Sequence, residues 1–147
     1  MIYNTNMKGM IVILDTNVIL AGLKSNAGIS YQLIEKLMYD QYKIAVSVPL
    51  VMEYEAILKK KLVPHLYSEE DIDDVINYLC SIAIHTKIYY LWRPYLKDAF
   101  DDHVLEVAMS ANVSYIVTYN IKNFEKASCM GITPIEPVAF LKMLEEG

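Results

Sequence analysis

The sequence predicts an α/β protein built on a mostly parallel central sheet. Short runs rich in apolar residues, "MIVIL" at 10–14, "YKIAVSV" at 42–48 and "VSYIV" at 113–117, have the composition of strands buried on both faces. Segments with apolar residues at i, i+3 and i+4 stand between them, which is helical spacing. The two kinds alternate along the chain, and alternation implies crossover connections and parallel pairing.

Taken in order, Met10–Leu14 is the first strand. Asp15, Thr16 and Asn17 supply cap chemistry, so a helix begins at about Val18. "KSNAGIS" is a loop, and Leu33, Ile34, Leu37 and Met38 mark an amphipathic helix from Ser30 to about Tyr39. After the strand "YKIAVSV", Pro49 suits a first helical turn, and Leu50, Tyr54, Ile57 and Leu58 form one face. Lys59, Lys60 and Lys61 fall where the helix dipole favours cations. Pro64 breaks the chain. Ser68 with Asp71 forms a capping box, and Ile72, Val75, Ile76, Leu79 and Ile82 continue that helix. "IAIHTKIYYLW" reads as a third extended segment and "RPYLKDAFDD" as a loop. Val104, Val107, Ala108 and Ala111 define a helix, "VSYIVTYN" a strand, "ITPIEP" a short extended piece and "VAFLKMLEEG" a terminal helix.

At 147 residues, with 54% hydrophobic and 21% charged residues, the chain fits one globular domain spanning 1–147, with 1–9 as an N-terminal extension. No apolar run reaches the roughly 18 residues of a spanning helix, and Asp15 interrupts any signal-type core. Cys80 and Cys129 have no metal-ligand spacing and read as small buried hydrophobes in a reducing, cytoplasmic compartment. The net charge of −5 opposes nucleic-acid binding unless several acids are grouped as metal ligands.

The placement of the acids therefore matters. In a parallel sheet, ligands bind beyond the carboxyl ends of the strands, and Asp15 and Asn120 fall at two such ends. Asp15 serves equally as a helix cap, Thr16 and Asn17 as backbone-bonding residues, and Asn120 as a turn residue. Glu53 and Glu55 both flank the apolar face of their helix, and spacing does not choose between them. Asp98, Asp101 and Asp102 crowd the start of a helix, where capping needs fewer than three acids. "EEDIDD" at 69–74 is denser in charge but reads as capping and a solvated face. Carboxylates with Asn, and no His or Cys cluster, make a hard-oxygen set suited to Mg²⁺ or Mn²⁺. His65 and His85 lie away from the acids, and His103 reads as helix surface. There is no Gly-rich phosphate loop and no Ser or Cys nucleophile motif.

Four stretches, in order, resemble the PIN domain family: "IVILDTNVIL", "VSVPLVMEYEAIL", "DAFDDHVLEVAMSANVSY" and "IVTYN". The resemblance covers nearly the whole chain from Met10. It implies a Rossmann-like α/β/α sandwich and a metal-dependent endoribonuclease, of the kind that acts as the toxin of a toxin–antitoxin pair. It favours Glu53 over Glu55. It implies Asp15, Glu53 and Asp102 as ligands of Mg²⁺ or Mn²⁺, with Asn120 holding a water of the metal or a place behind the ligands. Thr16 and Asn17 would orient Asp15, and Asp101 would share or replace the role of Asp102. Asn120 stands where many members carry Asp, which leaves one metal or two open. RNA would meet Lys59, Lys60, Lys61, Lys87, Arg93 or Lys97. Arg93 is the sole Arg, so bidentate guanidinium contacts are scarce, and weak RNA affinity or a homodimer that extends the groove would follow. An antitoxin protein is the other expected partner.

Two further readings compete. "DTNVI" nearly matches the opening of haloacid-dehalogenase phosphatases, but Asn17 stands where their second Asp, the general acid, belongs. A non-catalytic PIN-like scaffold would bind a partner and no metal.

Overall fold

The computed structural model describes residues 9–88 and 99–147; of Ala99, Phe100, Asp101 and Cys129 it describes the backbone alone. The first strand, β1 (Ile11–Leu14), leads directly into α1 (Thr16–Lys24), followed by α2 (Ile29–Met38), β2 (Lys43–Val46), α3 (Val48–Leu62) and α4 (Glu69–Ile82). Next come β3 (Ile84–His85), α5 (Ala99–Ser110), β4 (Tyr115–Val117), a 3-10 segment (Ile121–Met130), β5 (Thr133–Ile135) and α6 (Pro137–Glu146).

The five strands form one sheet in the order β3-β2-β1-β4-β5, and every pair is parallel. The expected mostly parallel α/β architecture is therefore present, with helices covering the sheet. Val12, Ile13, Leu14, Ile44, Ala45, Val46, Ile116 and Val117 are all buried, which is why these strands lack polar alternation. From β1 the chain adds strands in one direction, to β2 and β3. It then returns to the other side of β1 to place β4 and β5. The order thus reverses between β1 and β4, and a crevice for a ligand opens at such a reversal, outside the carboxyl ends of the strands.

Local chemistry explains the helix ends. Asp15 is the N-cap of α1, Ser47 caps α3 by accepting from the Leu50 N–H, and Ser68 and Asp71 form the expected reciprocal capping box on α4. Gly22 lets α1 lie close to α2: a Cβ there would stand 3.1 Å from the Ser30 carbonyl oxygen and would collide with Ile34 Cδ1.

Several boundaries differ from the sequence expectation. The third extended segment contributes only Ile84 and His85 to the sheet, and its part from Tyr89 onward lies outside the described residues. The stretch read as a loop to Asp102 is already helical from Ala99, because the acids at 101 and 102 suit a first helical turn. The 3-10 segment had no periodic signal; it ends at Gly131, whose φ of 79° lies in the left-handed region that glycine adopts freely. Cys80 is only partly buried, so it is not the core residue expected. The proposed extension at 1–9 falls outside the described residues up to Lys8.

Candidate active site

The reversal of strand order sets the site. Leu14 is paired with Val117, so the next residues on each strand, Asp15 and Thr118, emerge side by side. The Asp15 N–H donates to the Val117 carbonyl oxygen (2.9 Å), which holds the backbone at this point. Both Asp15 oxygens are engaged. Oδ1 accepts from the Thr16 N–H (2.8 Å) and Oδ2 from the Thr118 hydroxyl (2.7 Å). Asp15 is 6% exposed. Burial pushes its carboxyl up to about 6; the Thr118 hydroxyl and the Thr16 N–H pull it down, and the nearby Glu53 carboxylate pushes it up again. The cap anticipated from sequence is thus present, on the side chain that also bonds to Thr118.

Glu53 comes from the other side, on α3. The neighbouring Tyr54 is buried, and its hydroxyl donates to the Leu14 carbonyl oxygen at the end of β1 (2.5 Å). Tyr54 therefore pins the helix to the strand that carries Asp15. Glu53, about 100° around the helix from it, is turned toward the strand end, where the Thr16 hydroxyl donates to its Oε2. Thr16 so links the two acids, through its N–H to Asp15 and its hydroxyl to Glu53. Glu55 faces elsewhere: Lys59 Nζ lies 2.8 Å from its carboxylate, 2.8 Å from Asp73 and 3.8 Å from Glu69.

The remaining expected residues are placed less uniformly. Asp102 is fully buried near the start of α5, and Glu106, four residues on and so on the same helix face, is 2% exposed. His103 Nδ1 stands 3.9 Å from Glu106 Oε1 and is half-buried, not the surface residue expected. The side chain of Asp101 lies outside the described residues. Asn120 is exposed; its N–H donates to the Thr118 hydroxyl (2.9 Å) and its side chain caps nothing. Asn17 Oδ1 accepts a long bond (3.5 Å) from the Tyr119 N–H. Among the described residues no group of three or more His, Cys, Asp or Glu side chains converges on one point. Of the cations, Lys59 is held by carboxylates of α3 and α4, Lys60 lines a cleft beside Glu53, Lys61 and Lys87 are exposed, and Arg93 and Lys97 fall outside the described residues.

Thr118 was not anticipated. Its hydroxyl both donates to Asp15 and accepts from Asn120, joining the ends of β1 and β4. A fully buried Thr at the close of an apolar strand needs a hydrogen-bond partner, and that was the available signal. A separate apolar cavity of about 320 Å³ lies between α1, α2 and α4, and none of Asp15, Glu53 or Asp102 lines it.

A family model described as the PIN domain matches residues 11–122. The chain belongs to the PIN domain family. Among solved structures, this PIN domain is similar in fold to a chain of VapBC2 from Rickettsia felis, whose crystal structure is described as bound to a DNA fragment from their promoter. The TM-score is 0.60 at 17% identity, over 86% of this chain and 98% of that one. Comparison with curated proteins gives no match. Membership of the PIN family removes the ground for the haloacid-dehalogenase reading, and Asn17 is bonded to a backbone N–H in place of serving as an acid. No helix among the described residues is long and apolar enough to cross a membrane.

Proposed function

We propose that this PIN domain is a divalent-metal-dependent endonuclease that hydrolyses RNA phosphodiester bonds. The observation that carries this is the pair Asp15–Glu53, held on a common Thr16 at the switch in strand order, with the Asp15 carboxyl raised to about 6. Two neighbouring carboxylates with no cation between them resist ionising together. A hard dication relieves that repulsion, and Mg²⁺ needs only one or two protein carboxylates when waters and substrate phosphate complete its shell. The donor set therefore fits Mg²⁺ or Mn²⁺.

Asp15 and Glu53 would hold the ion, with Asp102 as a third carboxylate and Asp101 its alternative. When bound, the metal supplies positive charge to a phosphoryl oxygen and lowers the pKa of water. The protein's own groups do the orienting. Thr118 fixes Asp15 Oδ2, the Thr16 N–H fixes Oδ1, and the Thr16 hydroxyl fixes Glu53, so the acids keep their geometry while phosphate oxygens arrive. Asn120, exposed beside them, would contact a water or the substrate.

Cleavage of defined RNAs with and without EDTA tests the reading. Asp15→Asn keeps an oxygen acceptor for one of the two bonds and should abolish cleavage with the fold intact; wild-type rates in this variant would reject the site. Asp101→Asn and Asp102→Asn, assayed separately, assign the third carboxylate. Absence of calorimetric Mn²⁺ binding at millimolar metal would favour the scaffold reading instead.

The similarity to a chain of the VapBC2 complex supports a toxin role with a protein antitoxin as partner. Expression of the chain should then arrest growth, and Asp15→Asn should relieve the arrest. A DNA-binding antitoxin encoded immediately upstream would agree with it.

A further inference from the structure

Beside Glu53 a cleft of about 600 Å³ opens, walled on one side by α3 through Met52, Glu53, Ile57 and Lys60 and on the other by His103 of α5. This lies within the roughly 300–1,000 Å³ span typical of small-ligand sites. Its chemistry is graded along α3. Pro49 and Met52 begin it, Glu53, bonded to Thr16, comes next, Ala56 and Ile57 follow, and Lys60 closes the far end. Met52 is 64% exposed, so its side chain is open to contact at the cleft.

We propose that this cleft seats the nucleotide adjacent to the cleaved bond, with Lys60 binding a neighbouring, uncleaved phosphate and Met52, Ile57 and His103 enclosing the base. The inference rests on the nuclease reading of the Asp15–Glu53 site and adds a substrate subsite to it. Helical geometry supplies the argument. Lys60 is seven residues beyond Glu53, two turns along the same face and about 10 Å along the axis. A strand lying along α3 with its scissile phosphate at a metal on Asp15 and Glu53 would bring a neighbouring phosphate to the Lys60 ammonium.

Charge and position together single out Lys60 from Lys59 and Lys61, since Lys61 does not line the cleft. Lys59 is engaged by Glu55 and Asp73 at 2.8 Å each, whereas Lys60 makes no ion pair among the described residues and faces the cleft. In a chain of net charge −5, an uncommitted ammonium beside the acidic site is well placed to draw a polyanion in. The walls also favour a single strand: a base must be unpaired and turned toward α3 to meet Met52 and Ile57, and only an unstacked base can be splayed out in this way.

Binding measured by fluorescence anisotropy in EDTA, without turnover, tests the subsite. A labelled single-stranded hexanucleotide and a dinucleotide would be compared on wild type, Lys60→Ala, Lys60→Arg and Lys142→Ala; Lys142 is an exposed lysine of α6 that controls for loss of one charge. Lys60→Ala should weaken the hexanucleotide roughly tenfold and lower its log–log salt slope by about 0.7. The dinucleotide should change little, Lys60→Arg should restore binding, and Lys142→Ala should match wild type. Equal hexanucleotide affinity and slope in Lys60→Ala and wild type would overturn the proposal, as would an equal loss in Lys142→Ala. Lys60-dependent binding by a protein that cleaves no RNA would sink the nuclease reading and leave the subsite standing. Metal-dependent cleavage unaffected by Lys60→Ala, with unchanged binding, would do the reverse.

Discussion

Asp15 shows how one side chain can cap a helix and still sit beside a second acid. Its two oxygens are taken by a backbone N–H and a hydroxyl, yet burial and Glu53 keep its carboxyl at about 6. The folded state therefore holds the Asp15 proton more tightly than the unfolded chain, whose value is near the ordinary 3.8. That contribution to stability is fully present below about pH 4 and is lost as pH rises through about 6, on the order of 3 kcal/mol. In EDTA, wild type should lose stability over this window relative to Asp15→Asn, which has no proton to release; parallel denaturation curves from pH 4 to 7 would contradict the assignment. Thr118 acts at the same scale but through another residue. Thr118→Val should lower Mn²⁺ affinity and cleavage about 10- to 100-fold, as loss of a ligand's supporting bond typically does, while Thr118→Ser should recover most of both. A metal titration beside the rate separates this from simple unfolding.

Among the elements, α3 is the one that brings the chemistry together. Its buried face carries Leu50, Tyr54, Leu58 and Leu62, and the Tyr54 hydroxyl ties it to the end of β1. On either side of Tyr54, Glu53 turns to Thr16 and Glu55 to Lys59. Tyr54→Phe removes one buried hydrogen bond and leaves the Leu14 carbonyl short of a donor. It should cost about 1–2 kcal/mol, a fall of roughly 3–6 °C in Tm, with a larger loss in cleavage because Glu53 follows the helix. A rate loss no greater than the stability loss explains would show that Tyr54 packs without positioning. The period of α3 was legible at Leu50, Tyr54 and Leu58, which are buried on one face, whereas Ile57, expected with them, lines the cleft. Spacing did not choose between the two glutamates, because both flank that face equally; the family resemblance favoured Glu53, and the partner at Thr16, 37 residues away, separates the two in the fold.

At the scale of the whole molecule, the sheet order makes the site. β1 lies between β2 and β4, so an acid at its end meets α3 on one side and Thr118 on the other. A dication bound by Asp15 and Glu53 would bridge β1 to α3 and bind the folded state alone. Mn²⁺ at about 100 times its Kd should then stabilise the protein by about 2.7 kcal/mol. The rise in Tm should vanish in Asp15→Asn; an equal rise in that variant would place the ion elsewhere.

What the sequence determined by itself is local. The identity of β1, β2 and β4 and of most helices, the capping box at Ser68 and Asp71, the cap at Asp15 and the presence of hard-oxygen donors follow from residues within a few positions of one another, where periodicity and backbone chemistry act. What only the tertiary structure decided depends on partners far apart in the chain. Thr118 bonds to Asp15 across 103 residues, Lys59 is drawn to Asp73, and Lys60 meets a cleft that His103 closes. Strand order and helix packing set those meetings, and no local spacing encodes them.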